Sequence, residues 1–357
     1  MSETTFSVSP GFAQRLHAMD ASISFSSYQS GILYLVGLKK DGGLNIHQCH
    51  LPKPMGLCLD DQGALTLTSA YQIMRFENVL DAGEQINQYF DACYVPRLVH
   101  VTGNLDAHDV GVDKDGQAVF VNTRFNCLAR PSMRQSFEEV WRPPFISALV
   151  DEDRCHLNGM AMLEGAPRYV SAVSRSDTID GWRDRRADGG VVIDVHTGDV
   201  VCEGLSMPHS PRMHNGDLWV LNSGTGELGI VDTDGGGFEP RVFCPGFLRG
   251  LRFHGNLAIV GLSKPRYKRF EGLALDEKLR TADSEPWCGL QIIDLNTGAC
   301  VDWLRLDGAV SELYDLEILP GVSCPMALSP TSPEAANLIT HAKTNSHEID
   351  LPSKDVA

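Results

Sequence analysis

Short runs of alternating apolar and polar residues, cut by turns that end in Gly, fill most of this chain. Three of them share one phrase: Ile193-Asp194-Val195-His196-Thr197-Gly198, Val231-Asp232-Thr233-Asp234-Gly235-Gly236 and Ile293-Asp294-Leu295-Asn296-Thr297-Gly298. A period-two apolar pattern around an Asp-containing tight turn predicts antiparallel strands joined as hairpins. A second phrase, strand, Gly turn and strand, recurs six times: Gly56–Leu67, Asp109–Phe120, Gly159–Gly165, Ser210–Val220, Gly250–Ile259 and Asp315–Gly321. Its turn glycines fall at 63, 116, 165, 216, 255 and 321. That spacing suits a four-stranded unit of roughly 40–50 residues, and radial repetition of such a unit predicts an all-β, six-bladed β-propeller.

The sixth unit is incomplete, because after Gly321 the chain meets Pro325, Pro330 and Pro333 and then a polar tail. The missing strands lie at the other end, in Gly31–Leu38, a Lys40-Asp41-Gly42-Gly43 turn and Leu44–Cys49. Pairing of these N-terminal strands with the 310–321 strand would complete the last blade, close the ring and remove two open sheet edges. The expected organisation is an N-terminal extension over 1–24, the propeller over 25–325 and a polar tail over 326–357.

With 43% aliphatic and aromatic residues, the chain of 357 residues can bury a sizeable core. No apolar run approaches the roughly 20 residues that span a membrane, and Met1–Gln14 lacks a signal-peptide pattern, which points to the cytoplasm. Ten cysteines without a CxxC pair read as reduced, mostly buried thiols. A formal charge of −16 argues against nucleic acid or an anionic membrane as partner. The basic clusters Arg183–Arg186 and Lys264–Arg269 read as solvated loops.

Chemistry is expected where the inner strands of a propeller begin, since these points converge on the central channel. There stand His108 and Asp109, His156 and Asn158, His209 and Arg212, Arg249, and Glu312 with Tyr314 and Asp315. Histidines from three consecutive blades suggest a divalent metal site on His108, His156 and His209, with Asp109 and Asn158 as orienting groups or oxygen ligands. Fe, Mn, Zn and Ca all remain compatible with that donor set. Arg212 and Arg249 would clamp an anion, and Glu312, Tyr314 and Asp315 would supply acid or base groups. The alternative is that these Arg and acidic groups neutralise one another in a buried network.

Several phrases outside the repeat would build the rim. Trp141 and Phe145, in Trp141-Arg142-Pro143-Pro144-Phe145, can pack over the channel mouth, and the insertion 175–188 with Trp182 is a candidate lid. The insertion 264–288 can fold over the channel or away from it. Ser223-Gly224-Thr225-Gly226 reads as a β-turn rather than a phosphate loop, and Cys155 beside His156 points to the opposite strand face. Asn122–Leu128, Trp141–Phe145, Asp153–Gly159, Met207–Arg212 and Ser223–Gly226 resemble a bacterial family of conserved hypothetical proteins over roughly residues 25 to 325. The resemblance implies a single-domain propeller, in some members accompanied by tetratricopeptide repeats, and carries no activity.

The functional expectation is a metal-dependent enzyme, of oxygenase, lyase or hydrolase type, acting on a small or peptide-borne anionic substrate in the channel. Two other classes compete with it. One is a non-catalytic scaffold that binds a protein or glycan through its rim loops. The other is a metal-free lactonase or isomerase using Glu312 or Asp315.

Overall fold

A computed structural model describes residues 4–266 and 269–341. Six small antiparallel sheets stand around a central channel as the blades of a propeller. Blades 2 to 6 are each four consecutive strands, with inner strands Leu57–Leu59, Ala107–Val112, Leu157–Leu163, Pro208–His214 and Phe247–His254. Blade 1 combines the two ends of the chain: Leu316–Pro320 is its inner strand, and Ala21–Ser27, Ile32–Leu38 and Leu44–His50 complete it. The closing ladder runs antiparallel from Ala21 opposite Pro320 to Phe25 opposite Leu316.

Both ends then reach past blade 1. Thr5–Val8 adds a fifth strand to blade 6 against Leu304–Asp307, and Pro325–Ala327 pairs in parallel with Ala92–Tyr94 at the edge of blade 2. Residues 4–24 are therefore built into the ring, with the helix Phe12–Met19 burying Phe12, Leu16 and Met19. The tail expected over 326–357 begins with ordered structure, and residues 342–357 lie outside the described part, as do Tyr267 and Lys268 of the basic cluster. Among the described residues no helix is long and apolar enough to cross a membrane.

The hydrophobic pattern explains the packing. A blade is covered on both faces by its neighbours, so its strands are buried on both: Ala21–Ser27 is buried at every position, with Ile23 and Phe25 on one face and small serines on the other. Each junction has its own core: Leu33 and Leu35 meet Leu65 and Leu67 between blades 1 and 2, and Val119 and Val121 meet Val170 and Ile193 between blades 3 and 4. Trp141 and Phe145 pack into this last junction and do not reach the channel mouth, which corrects the sequence expectation. All ten cysteines are free, and all but Cys58 and Cys300 are buried.

The repeated phrases owe their glycines to two constraints. Gly63, Gly116, Gly165, Gly216, Gly255 and Gly321 all take positive φ at the end of an inner strand, where a side chain would be strained. Gly159 is different: a Cβ there would lie 2.4 Å from Pro211 Cδ, because the inner strands of blades 4 and 5 approach that closely. Gly159→Ala should lower stability by about 1–3 kcal/mol through this overlap. A urea melt of the variant that coincides with wild type would show the strands to be more compliant than drawn.

A polar belt ties the inner strands together below the channel mouth. Asp109 Oδ1 accepts the Val110 N–H at 2.9 Å, and its Oδ2 accepts the N–H of Met160 in the next blade at 2.9 Å. Asp315 repeats the pattern with Leu316 at 2.9 Å and Leu57 at 3.0 Å, as does Glu317 with Ile318 at 3.0 Å and Leu59 at 3.1 Å. In blade 5 Ser210 Oγ accepts from Gly250 N–H at 3.1 Å. Two arginines neutralise the belt: Arg212 forks onto Asp109 at 2.8 and 3.1 Å, and Arg252 donates to Glu317 at 2.8 Å.

Candidate active site in the central channel

The chain enters three of the six inner strands through a residue held in the left-handed region. Asp106, His156 and Met207, each one residue before its strand, have φ of 50°, 52° and 49°. Lys53 and Asp153 share the conformation, with φ of 52° and 39°. Such backbone costs of order 1–3 kcal/mol per residue, so its recurrence around one mouth marks a built site.

This entry geometry sorts the three histidines. His108 and His209 are the second residues of their strands, and each places Nδ1 on a carbonyl two residues back, Asp106 at 2.7 Å and Met207 at 2.8 Å. Blade 4 offers Asn158 at that position, while His156 comes two residues earlier. The three therefore do not share one offset. The left-handed turn swings His156 beside His108, with ring centroids 5.0 Å apart and near-perpendicular planes.

His108 and His156 line a cavity of about 1360 Å³ over the channel. His156 Nδ1 donates to Asp153 Oδ2 at 2.9 Å, and the indole of Trp182, stacked on the imidazole at 4.1 Å, donates to the same oxygen at 3.0 Å. His156 is thus a carboxylate-backed imidazole with Nε2 left for the cavity. His108 also keeps Nε2 for the cavity, since its Nδ1 is held by the Asp106 carbonyl. Burial pushes its pKa down to about 4, assisted by His156 and Arg249, so it stands neutral at physiological pH. Burial alone would raise the Asp106 carboxyl, but His108 and Lys53, the latter at 3.0 Å, hold it well below the usual range.

Arg249 rises from the floor between the rings of Tyr28, Phe247 and Tyr314, with centroids at 5.4, 5.4 and 5.0 Å. It is only 9% exposed, and among the described residues it forms no salt bridge and its Nε and Nη1 lack hydrogen-bond partners. The Tyr314 hydroxyl is likewise buried without a partner. Burial raises its pKa well above that of a free phenol, which leaves it a donor. Glu312 accepts from Tyr28 and from Arg266 at 3.0 Å, so this predicted acid is already paired at the rim.

The other predicted site residues lie elsewhere. His209 is buried beneath the cavity with Nε2 3.1 Å from Asn158 Nδ2 and Nδ1 also 3.1 Å from Ser223 Oγ, so both ring nitrogens are engaged. Asp109, Arg212 and Asp315 belong to the belt, where backbone N–H groups and the Arg212 fork hold the two carboxylates. None of the three lines the cavity. Cys155 is fully buried, and burial raises its thiol pKa far from nucleophilic use.

The donor set accordingly does not fit the expected three-histidine centre. A catalytic metal ordinarily takes three protein ligands and keeps one position open. Nε2 of His108, Nε2 of His156 and the unpartnered Asp153 Oδ1 face this cavity, yet no group of three His, Cys, Asp or Glu side chains with ligand geometry occurs among the described residues.

Sequence reasoning passed over Asp106, Asp153 and Tyr28 as functional groups. Asp153 stands three residues before His156, a spacing that signals an Asp–His contact only once the left-handed turn is known. Both insertions line the cavity: Trp182, Arg183 and Arg186 come from one, and Arg266, Phe270 and Leu273 from the other.

The sequence matches the family described as Domain of unknown function (DUF4915) over residues 10–328. The chain belongs to this family. No curated protein matches this DUF4915 chain. A solved nidogen/laminin complex contains a chain with TM-score 0.54 and 12% identity, covering 84% of this chain and 99% of that one. Virginiamycin B lyase from Staphylococcus aureus is 11% identical, covers 86% of this chain and 100% of its own, and has a TM-score of 0.39. A catalytically inactive form of that lyase with quinupristin gives 0.41 at the same identity and coverage. At such identities the likeness to the nidogen/laminin complex is one of fold.

Proposed function

We propose that this DUF4915 propeller is a metal-independent acid–base enzyme that moves a proton on an anionic substrate held in the channel, in the manner of a lyase or isomerase. The observation that supports it is the pair His108 and His156, each with Nδ1 pinned and Nε2 left for one cavity, beside the unpaired cation Arg249. A buried guanidinium without a counter-ion is costly, and an anionic substrate would supply the missing charge. His156 is the base, because Asp153 stabilises the imidazolium that forms when Nε2 takes a proton. His108, neutral with Nε2 unprotonated and its ring 5.0 Å away, takes that proton from the His156 imidazolium and returns it to the other end of the reacting unit. Two imidazolium ions at that distance repel, so one proton is shared between them in turn. Tyr314 and Arg249 hold the charge that develops on the substrate.

Proton exchange into D₂O tests this without knowledge of the net reaction. A panel of small organic acids, carboxylates and phosphate esters alike, is followed by proton NMR for loss of the C–H signal beside the acid group. At least one member should exchange with wild type, and His156→Ala should slow it by about 10²–10⁴-fold. Asp153→Asn should slow it as well, and EDTA should leave it unchanged. Exchange abolished by EDTA would restore the metal reading, and exchange indifferent to His156 would remove the assignment of the base.

A further inference from the structure

The lining of the cavity narrows the substrate class beyond an anion. Most cations on its wall already carry a carboxylate: Lys53 has Asp106 at 3.0 Å, Lys264 has Asp307 at 3.3 Å, Arg266 has Glu312 at 3.0 Å, Arg183 has Asp180 at 3.0 Å and Arg269 has Glu271 at 3.3 Å. Arg186 is exposed on the rim and donates to the Arg183 carbonyl at 3.0 Å. Among the described residues Arg249 is left as the buried cation of the site without a counter-ion. One free guanidinium balances one negative charge; a phosphate dianion in a low-dielectric floor calls for a second.

One side of the wall is apolar. Trp182 and Met207 cluster with Val173, Phe247 and Leu273, and Phe270 packs on Leu273 and Phe247 in turn. A cavity of about 1360 Å³ is far larger than a carboxylate needs, and its apolar side suits a hydrocarbon body. Resting on the acid–base reading above, we propose that the substrate is a singly charged carboxylic acid with an apolar body, its carboxylate seated on Arg249 and the Tyr314 hydroxyl and its body against Phe247, Phe270 and Trp182. Nε and Nη1 of Arg249 and Oη of Tyr314 then obtain the acceptors they lack. The carbon beside the carboxylate comes within reach of the two imidazoles.

Calorimetric titration of the full chain with three probes tests this: 3-phenylpropanoate, the neutral 3-phenylpropanamide, and inorganic phosphate. The acid should bind at least about tenfold more tightly than the amide, a step of about 1.4 kcal/mol, and phosphate should bind more weakly than the acid. Arg249→Met should abolish the preference for acid over amide while near-ultraviolet circular dichroism stays unchanged. Tyr314→Phe, which removes one donor and keeps the ring, should reduce the preference several-fold and carries the test should Arg249→Met not fold. Equal binding of acid and amide, tighter binding of phosphate, or a preference that survives loss of Arg249 would each overturn the proposal. Binding is read apart from chemistry: acid preference with proton exchange indifferent to His156 would sink the acid–base reading alone, and His156-dependent exchange without acid preference would sink this one alone.

Discussion

A chain ending at Tyr314 will fail to give a cooperative thermal or urea unfolding transition. The cut removes the five-residue ladder between Leu316–Pro320 and Ala21–Phe25, and with it the only inner strand of blade 1. Leu316, Ile318 and Leu319 leave the cores on both sides of that blade, and Glu317 releases the N–H of Leu59 and the Arg252 guanidinium. The open ring then presents two unpaired strand edges, which favours association between chains. Three large aliphatic side chains at about 2–5 kcal/mol each rival the 5–15 kcal/mol that holds a typical domain. Leu319→Ala is the graded version and should cost about 2–5 kcal/mol in a urea titration. A truncated chain that melts cooperatively within a few degrees of wild type would show that the ring closes by blade-to-blade packing alone.

The repeat was legible because its causes are local. A turn that needs positive φ selects Gly, and six such turns gave the blade count. The closure was legible too, since a sixth unit without partners and unclaimed N-terminal strands fit only each other, although the strand that pairs, Ala21–Ser27, starts earlier than the expected domain boundary. The site was harder, because its chemistry depends on backbone that no phrase spells out. Asp109, Arg212 and Asp315 are indistinguishable by residue type from catalytic groups; what separates them is the next blade's N–H, within 3.0 Å of Asp109 and Asp315. His156 and His209 read alike in a line of sequence, yet a left-handed residue turns one into the cavity and a Ser and an Asn enclose the other. Tyr28 lies in a loop of blade 1 and meets Arg249 only once the ring has closed, as a contact between residues 221 positions apart must.

Arg212→Met should destabilise the protein strongly at pH 8 and much less at pH 5. Arg212 forks onto Asp109 and stands 3.6 Å from Asp315, and all three are largely buried. Removing one member of such a network leaves its acids charged in a low-dielectric interior, a loss on the order of 3–5 kcal/mol. The pH dependence follows from Asp315, whose pKa burial raises to about 6 against the lowering effect of Arg252 and Arg212. A carboxyl with a folded pKa above its unfolded value near 3.8 binds more protons when folded, so its contribution to stability is present at low pH and is lost as pH rises through about 6. Taking away Arg212 removes a cation that lowers this pKa, and the loss then extends to higher pH. At pH 5 the variant can protonate Asp315 and recover part of the deficit; at pH 8 it must hold Asp315 charged without the Arg212 cation. Urea titrations of wild type and variant at the two pH values measure the difference directly. A deficit that is equal at both, or larger at pH 5, would mean that the belt holds its charge by its backbone N–H donors, and that the Arg212 fork adds little to the ring.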